Sequence, residues 1–170
     1  MLSDDLEHGL AAIGSSQPTL LILGSMPSVA SLQSQAYYAH PRNAFWRIIE
    51  TAYAAPASDN YEQRCALLAA NNIMVWDVIK AAKRKGSLDS AIETATISIN
   101  NFDFLCAPHC KVGRVLCNGG KAFSLFNKHV IAQHRLAQQV LQLPSTSPAN
   151  AATAFEQKLA IWQQALTLPA

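Results

Sequence analysis

The sequence predicts an α/β protein: a three-layer α/β/α domain with a central four-stranded parallel sheet. Three observations carry that expectation. Four short, mostly apolar runs, Thr19–Leu23, Ile73–Trp76, Val112–Cys117 and Gln139–Leu143, read as strands covered on both faces. Amphipathic stretches separate them, and strands alternating with helices imply a parallel sheet with helices on both sides. The chain has 170 residues, 50% hydrophobic and 14% charged, which suits one full-sized core and excludes a disordered chain. A single domain over residues 1–170 is expected.

In chain order, Leu2 to Ile13 reads as an amphipathic helix with Leu6, Leu10 and Ile13 on one face, closed by Gly14 and the Ser15–Pro18 turn. The first strand, Thr19 to Leu23, breaks at Gly24-Ser25-Met26-Pro27 and opens into a polar loop holding Tyr37, Tyr38 and His40. Arg42 to Tyr53 carries Phe45, Trp46, Ile49 and Tyr53 at helical spacing. Tyr61 to Ala70 makes a second helix, ended by Asn71-Asn72. After the strand Ile73–Trp76 come Asp77 and a basic loop to Gly86, with Ser87 a cap for one short helix and Asn100 or Asn101 for another. Asn118-Gly119-Gly120 stops the third strand, and Lys121 to Val130 turns Phe123, Phe126 and Val130 inward. Pro144 to Pro148 breaks the fourth strand, and a last helix, about Pro148 to Leu166, buries Phe155, Leu159, Trp162 and Leu166.

Charge and cysteine usage narrow the class. The net charge is only +2, yet no Lys or Arg occurs before Arg42, while Lys80, Lys83, Arg84 and Lys85 crowd one loop. A basic side on a nearly neutral protein permits a polyanionic partner, or is simply a solvated loop. The four cysteines follow no secreted disulfide pattern, and no signal peptide or membrane-length apolar run is visible, so a cytoplasmic protein is expected. Cys106, His109 and Cys110 are close in sequence, but no second Cys/His pair accompanies them, so buried free thiols are expected rather than a metal site.

Open α/β sheets bind ligands at the carboxyl ends of their strands. The predicted layout brings four groups to that edge: Gly24 to Pro27, Asp77, Asn118-Gly119 and Pro144 to Pro148. The segments GSMPS and YYAHPRNAFW, then WDVIKAAKRKGSLDSAI, then LPSTSPAN, resemble in matching order the motifs of the uracil-DNA glycosylase superfamily. The resemblance covers residues 19 to about 165 and is strongest to the hypoxanthine (deoxyinosine) branch, next to the G:T/U mismatch-specific branch. It implies a monofunctional, cofactor-free N-glycosylase that flips a deaminated base out of double-stranded DNA and hydrolyses its glycosidic bond. A monomer fits an enzyme that scans DNA.

The residues can be set against that chemistry. A flipped base stacks on an aromatic surface, and Tyr38 stands at the position of the family's stacking aromatic. Relatives often carry Asp or Asn where this chain has Met26, whose thioether cannot polarise water. The resemblance to the hypoxanthine branch implies Asn43 as the water-placing catalytic residue, since an amide both donates and accepts; Asn43 could instead only cap the following helix. Asp77 could accept a base's ring N–H beside Gly24, Ser25 and Asn118 in the base pocket, or be paired with Lys80 or Arg84. Lys83, Arg84 and Lys85 are candidate phosphate contacts. Ser145 and Ser147 could also hold phosphates, with Ser147-Pro148 starting the last helix and Ala149 or Asn150 standing where relatives place a wedge. His40 reads as a brace for its loop. Hypoxanthine and uracil present the same carbonyl beside a ring N–H, so uracil is the alternative substrate. A non-catalytic lesion-binding module is the alternative to an enzyme. A lone Gly24 after the first strand disfavours a flavodoxin-like phosphate loop, and the absence of clustered cysteines near the first motif disfavours iron–sulfur relatives.

Overall fold

The computed structural model describes residues 6–169. Its frame is a five-stranded sheet in the order β2(Ile13–Gly14)–β4(Ile73–Asp77)–β3(Leu20–Gly24)–β7(Arg114–Asn118)–β8(Gln139–Leu143). The four expected strands run parallel, Leu20 pairing with both Ile73 and Arg114. The added β2 pairs antiparallel with β4. Alternation along β3 divides the core: Leu21 and Leu23 face one apolar layer with Val115, Cys117 and Phe126, whereas Leu20 and Ile22 face the other with Phe45, Leu68 and Trp162. Helices α2 (Phe45–Ala52), α3 (Tyr61–Ala70) and α5 (Phe155–Thr167) supply the second layer. Helix α4 (Gly120–Phe126), which continues into a π-helical turn at Asn127–Ile131, supplies the first.

The expected N-terminal helix is not formed. Among its described residues, β1 (Glu7–His8) pairs with β5 (Ile79–Ala82), and Ile13–Gly14 pairs with β4; residues 2–5 lie outside the described chain. Glycines explain the outcome. Gly9 sits in the middle of the expected helix and donates its N–H to Lys80 O at 2.9 Å. Gly14 has φ +92°, and a Cβ there would lie 2.2 Å from Ile73 O. The Leu10 carbonyl between them accepts from Tyr37 Oη (3.1 Å) and Trp76 Nε1 (3.2 Å), so sheet pairing and two aromatic donors hold the segment extended.

A second, antiparallel sheet, β1–β5–β6 (Ser98–Ile99), replaces the expected basic loop. Helix α1 (Val29–Ser34) forms inside the expected polar loop, where the Ser28 hydroxyl accepts from Ser31 N–H at 3.2 Å. Ser87 caps no helix; its hydroxyl accepts the N–H of Val29 at 2.9 Å and so ties α1 to the second sheet. Asn101 Oδ1 accepts from Asp103 N–H at 2.7 Å, but the N-cap of the short helical turn Asp103–Cys106 is Phe102, which offers no side-chain cap. The last helix starts at Phe155 rather than Pro148, because residues 147–153 are occupied in turns. Of the cysteines, only Cys117 is buried, and Cys106 is exposed.

Candidate active site

The carboxyl edge of the sheet carries a cavity of about 410 Å³. Its walls come from the end of β3 (Gly24 to Pro27), the Tyr37-Tyr38 loop, Asn43, the end of β4 (Asp77), Asp89, the end of β7 (Asn118) and the loop after β8. The backbone at Gly24 and Ser25 is fixed because their carbonyls accept the N–H groups of Val78 (2.9 Å) and Ile79 (3.0 Å). Met26 is 7% exposed and packs into the core beneath the cavity.

Asp77 dominates the electrostatics. It is 3% exposed, and its Oδ2 is buried without a hydrogen-bond partner among the described residues. Burial pushes its carboxyl up from 3.8 to about 8; the charge of nearby Asp89 adds to the rise and Arg84 opposes it. The carboxyl lies against Gly24, where a Cβ would stand 2.4 Å from Asp77 Oδ1 and 3.2 Å from the Tyr38 hydroxyl. Glycine is therefore required by close approach. The Tyr38 hydroxyl is likewise buried with no close hydrogen-bond partner among the described residues, and burial raises its pKa while Asn118 nearby opposes the rise. Below, Asn100 Nδ2 donates to the Asp77 carbonyl at 2.9 Å. Beside it, Ser25 Oγ donates to Asp89 Oδ1 at 2.6 Å.

Tyr38 packs its ring on Phe45 with centroids 4.0 Å apart and planes 26° apart. Its φ of +55° puts a bulky residue in the left-handed region, a strained conformation that the packing holds in place. Asn43 Oδ1 accepts from the N–H of Phe45, the first residue of α2, at 2.9 Å, although the N-cap of α2 is Ala44; the amide nitrogen has no partner among the described residues. That bond orients the amide without exhausting it, since a carbonyl oxygen has a second lone pair. His40 braces the loop: its Nδ1 accepts from Arg42 N–H (3.1 Å) and its carbonyl accepts from Asn43 N–H (2.9 Å).

Asn118 lines the cavity, but its amide is committed. Nδ2 donates to Thr146 Oγ1 and Oδ1 accepts from Thr146 N–H, both at 2.9 Å. The Thr146 carbonyl accepts from Ala44 N–H at 3.0 Å, so this 1% exposed residue joins β7, the start of α2 and the loop after β8. Ser145 Oγ accepts from Ser147 N–H, and Ser147 Oγ from Ala149 N–H, both at 3.2 Å; these are turn bonds, and no helix N-terminus stands behind Ser147. Ala149 is exposed at the loop's tip. The buried Lys158 donates Nζ to Asn150 O at 2.9 Å and thereby anchors the loop from α5.

The basic loop departs from the expectation. Arg84 is unavailable to phosphate: its side chain is fully buried and donates to Glu7 Oε2 at 3.1 Å and to the Pro27 carbonyl. Lys83 is half-buried and Lys85 exposed. Neither Lys80 nor Arg84 forms a close ion pair with Asp77 among the described residues. A second basic surface adjoins the cavity through Tyr38 and Asn43, a groove of about 670 Å³ lined also by His40, Arg42, Arg47 and Lys158. Arg47 lies over the Phe155 ring at 3.7 Å. The signal for this surface in the sequence is Arg42, inside the HPRN run.

Comparison with known proteins agrees with this geometry. The family model for the uracil DNA glycosylase superfamily matches residues 11–166. A hypoxanthine DNA glycosylase of Methanosarcina acetivorans is 35% identical over 146 residues, 85% of this chain and 89% of the relative. A hypoxanthine DNA glycosylase of Methanosarcina barkeri is 38% identical over 119 residues, 68% of this chain and 73% of the relative. A solution NMR structure from Methanosarcina acetivorans, assigned provisionally as a uracil DNA glycosylase, superimposes with a TM-score of 0.79 at 32% identity, covering 95% of this chain and 97% of that one. A sheet-edge cavity built from these motifs, in a fold shared almost end to end with that structure, places the chain in the uracil DNA glycosylase superfamily.

Proposed function

We propose that this protein is a monofunctional DNA glycosylase that flips hypoxanthine out of double-stranded DNA and releases it by hydrolysis in base excision repair. The observation that carries the reading is the likeness, over most of the chain, to two proteins named hypoxanthine DNA glycosylase, joined to a cavity built from the matching motifs. Tyr38, which lines the cavity with its ring packed on Phe45, takes the base by stacking. Asp77 reads the pairing edge, with Gly24, Ser25, Met26 and Asn118 shaping the pocket around it. Asn43, oriented by Phe45 N–H, is the catalytic residue, using its amide nitrogen and its remaining lone pair to place the attacking water. Departure of a purine through a cation-like sugar asks mainly for placement, which an amide supplies although Met26 cannot.

The loop from Ser145 to Asn150 enters the duplex, Ala149 filling the gap and Ser145 and Ser147 meeting phosphates. Lys83 and Lys85 contact the backbone on one side of the cavity and Arg42 on the other. The protein acts as a cytoplasmic monomer; no described helix is long and apolar enough to cross a membrane. Uracil, whose edge matches that of hypoxanthine, is the second reading, favoured by the family's name. Base release from duplexes carrying one deoxyinosine, deoxyuridine or deoxyxanthosine decides between them. Fastest release from deoxyinosine supports the proposal, release from deoxyuridine alone moves the activity to uracil, and lesion binding with no release leaves a binding module.

A further inference from the structure

We propose that Asp77 engages the base as a neutral carboxylic acid, its carbonyl oxygen accepting the ring N–H while its hydroxyl donates to the neighbouring base carbonyl. This rests on the reading of the cavity as a base pocket, and it goes further by defining the chemical class admitted. That class is the lactam edge shared by hypoxanthine, uracil and xanthine.

A lactam offers one donor and one acceptor side by side, and a neutral acid offers the complementary pair on two oxygens of fixed spacing. A carboxylate satisfies only half of this edge. One oxygen accepts the N–H, and the other sets a negative charge against the base's carbonyl in a site of low dielectric. The surroundings of Asp77 are built for the neutral form. Asp77 lines the cavity, and its Oδ2 is buried with no protein partner among the described residues.

Among the charged neighbours of Asp77, Asp89 opposes its ionisation and Arg84 favours it, with burial outweighing both. Asp89, from the turn after β5, stands near it with its own Oδ1 fixed by the Ser25 hydroxyl, and a second negative charge there opposes ionisation of the first. Arg84, just after β5, is a cation that favours ionisation; its Nη2 donates to Glu7 and to the Pro27 carbonyl, and it forms no close ion pair with Asp77 among the described residues. Tyr37 and Tyr38 are neutral phenols, with Tyr37 Oη donating to Leu10 O at 3.1 Å, away from the carboxyl. Gly24 contributes bare backbone, and Asn100 reaches the Asp77 carbonyl rather than its side chain. Burial with these neighbours raises the carboxyl to about 8, so the proton is present at neutral pH. Asp77 thus does what an asparagine amide does at such an edge, with an added dependence on pH.

The test compares wild type, Asp77→Asn and Asp77→Ala in single-turnover release of hypoxanthine from a deoxyinosine duplex across pH 6 to 9.5. Asn keeps a neutral donor and acceptor without titrating, so Asp77→Asn is expected within about tenfold of wild type at pH 7, and Asp77→Ala at least about 100-fold slower. Above about pH 8 the ratio of wild-type to Asp77→Asn rates is expected to fall about tenfold per unit; taking the ratio cancels titration of the base itself. The ¹³C signal of the Asp77 carboxyl in wild type is expected to titrate with a midpoint near 8. Asp77→Asn as inactive as Asp77→Ala, a ratio flat through pH 9, or a carboxyl midpoint below about 6 overturns the inference while leaving the glycosylase reading intact. If Asp77→Asn does not fold, the wild-type titration alone decides. A wild type that releases no lactam base at any pH removes the activity on which the inference rests.

Discussion

Replacing Asp77 by asparagine is expected to stabilise the fold, by an amount that grows with pH. In the unfolded chain this carboxyl titrates near 3.8, and in the folded chain near 8. Between those values the folded state holds a proton that the unfolded state has released, so wild-type stability is greatest at low pH and declines as pH rises through the window. Evaluating the two titrations at pH 5 and pH 8 gives a wild-type loss of about 3–4 kcal/mol from this one group. The substituted asparagine has no such titration but leaves an amide N–H₂ to satisfy, at a cost of about 1 kcal/mol. Urea denaturation of wild type and Asp77→Asn at matched pH reads the effect directly. The variant's advantage is expected to grow by about 3 kcal/mol between pH 5 and pH 8. An advantage constant within about 0.5 kcal/mol across that range means that Asp77 is ionised in the folded protein, and the electrostatic account of the pocket is wrong.

Other positions test the framework around it. Gly24→Ala drives a Cβ to 2.4 Å from Asp77 Oδ1 and should cut base release at least about 100-fold while the protein still folds, as followed by circular dichroism and single-turnover rates. Thr146→Val keeps the shape of the hub but orphans Asn118 Nδ2, and should lower stability by about 1–3 kcal/mol in chemical denaturation. Lys85→Ala should weaken duplex binding modestly and reduce its salt dependence, leaving stability unchanged, because Lys85 is exposed. Arg84→Ala should act in the opposite sense, lowering stability by about 3 kcal/mol, because it strands Glu7 and the Pro27 carbonyl.

The parallel core was legible because its central strands, Leu20–Gly24 and Arg114–Asn118, are covered on both faces. Ile73–Asp77 and Gln139–Leu143 follow from apolar runs ended by turn residues, and Tyr61–Ala70 from Cys65 and Leu68 at helical spacing with Asn71-Asn72 after them. What escaped depends on partners distant in sequence. Residues 6–14 have helical spacing, yet the sheet edges at β4 and β5 and the donors of Tyr37 and Trp76 hold them extended. Ser147-Pro148 has the pattern of a helix start, but the turn bonds of Ser145 and Ser147 and the Lys158 anchor take up the chain until Phe155. At the site, local motifs brought Gly24, Tyr38, Asn43 and Asp77 to one cavity. Which charges remain available was not legible there: Arg84 and Lys85 are adjacent in sequence, and only the fold buries one and exposes the other.

The most direct test of the account is single-turnover release of free hypoxanthine from a deoxyinosine duplex by wild type and Asn43→Ala, with duplex affinity measured in parallel. Asn43 touches both the cavity and the first residue of α2, and the amide is the one group assigned to the water. The expected result is release by wild type, a loss of at least about 100-fold in the variant, and lesion affinity changed by less than about threefold. Undiminished release by a folded Asn43→Ala, or no release of hypoxanthine by wild type, would contradict it.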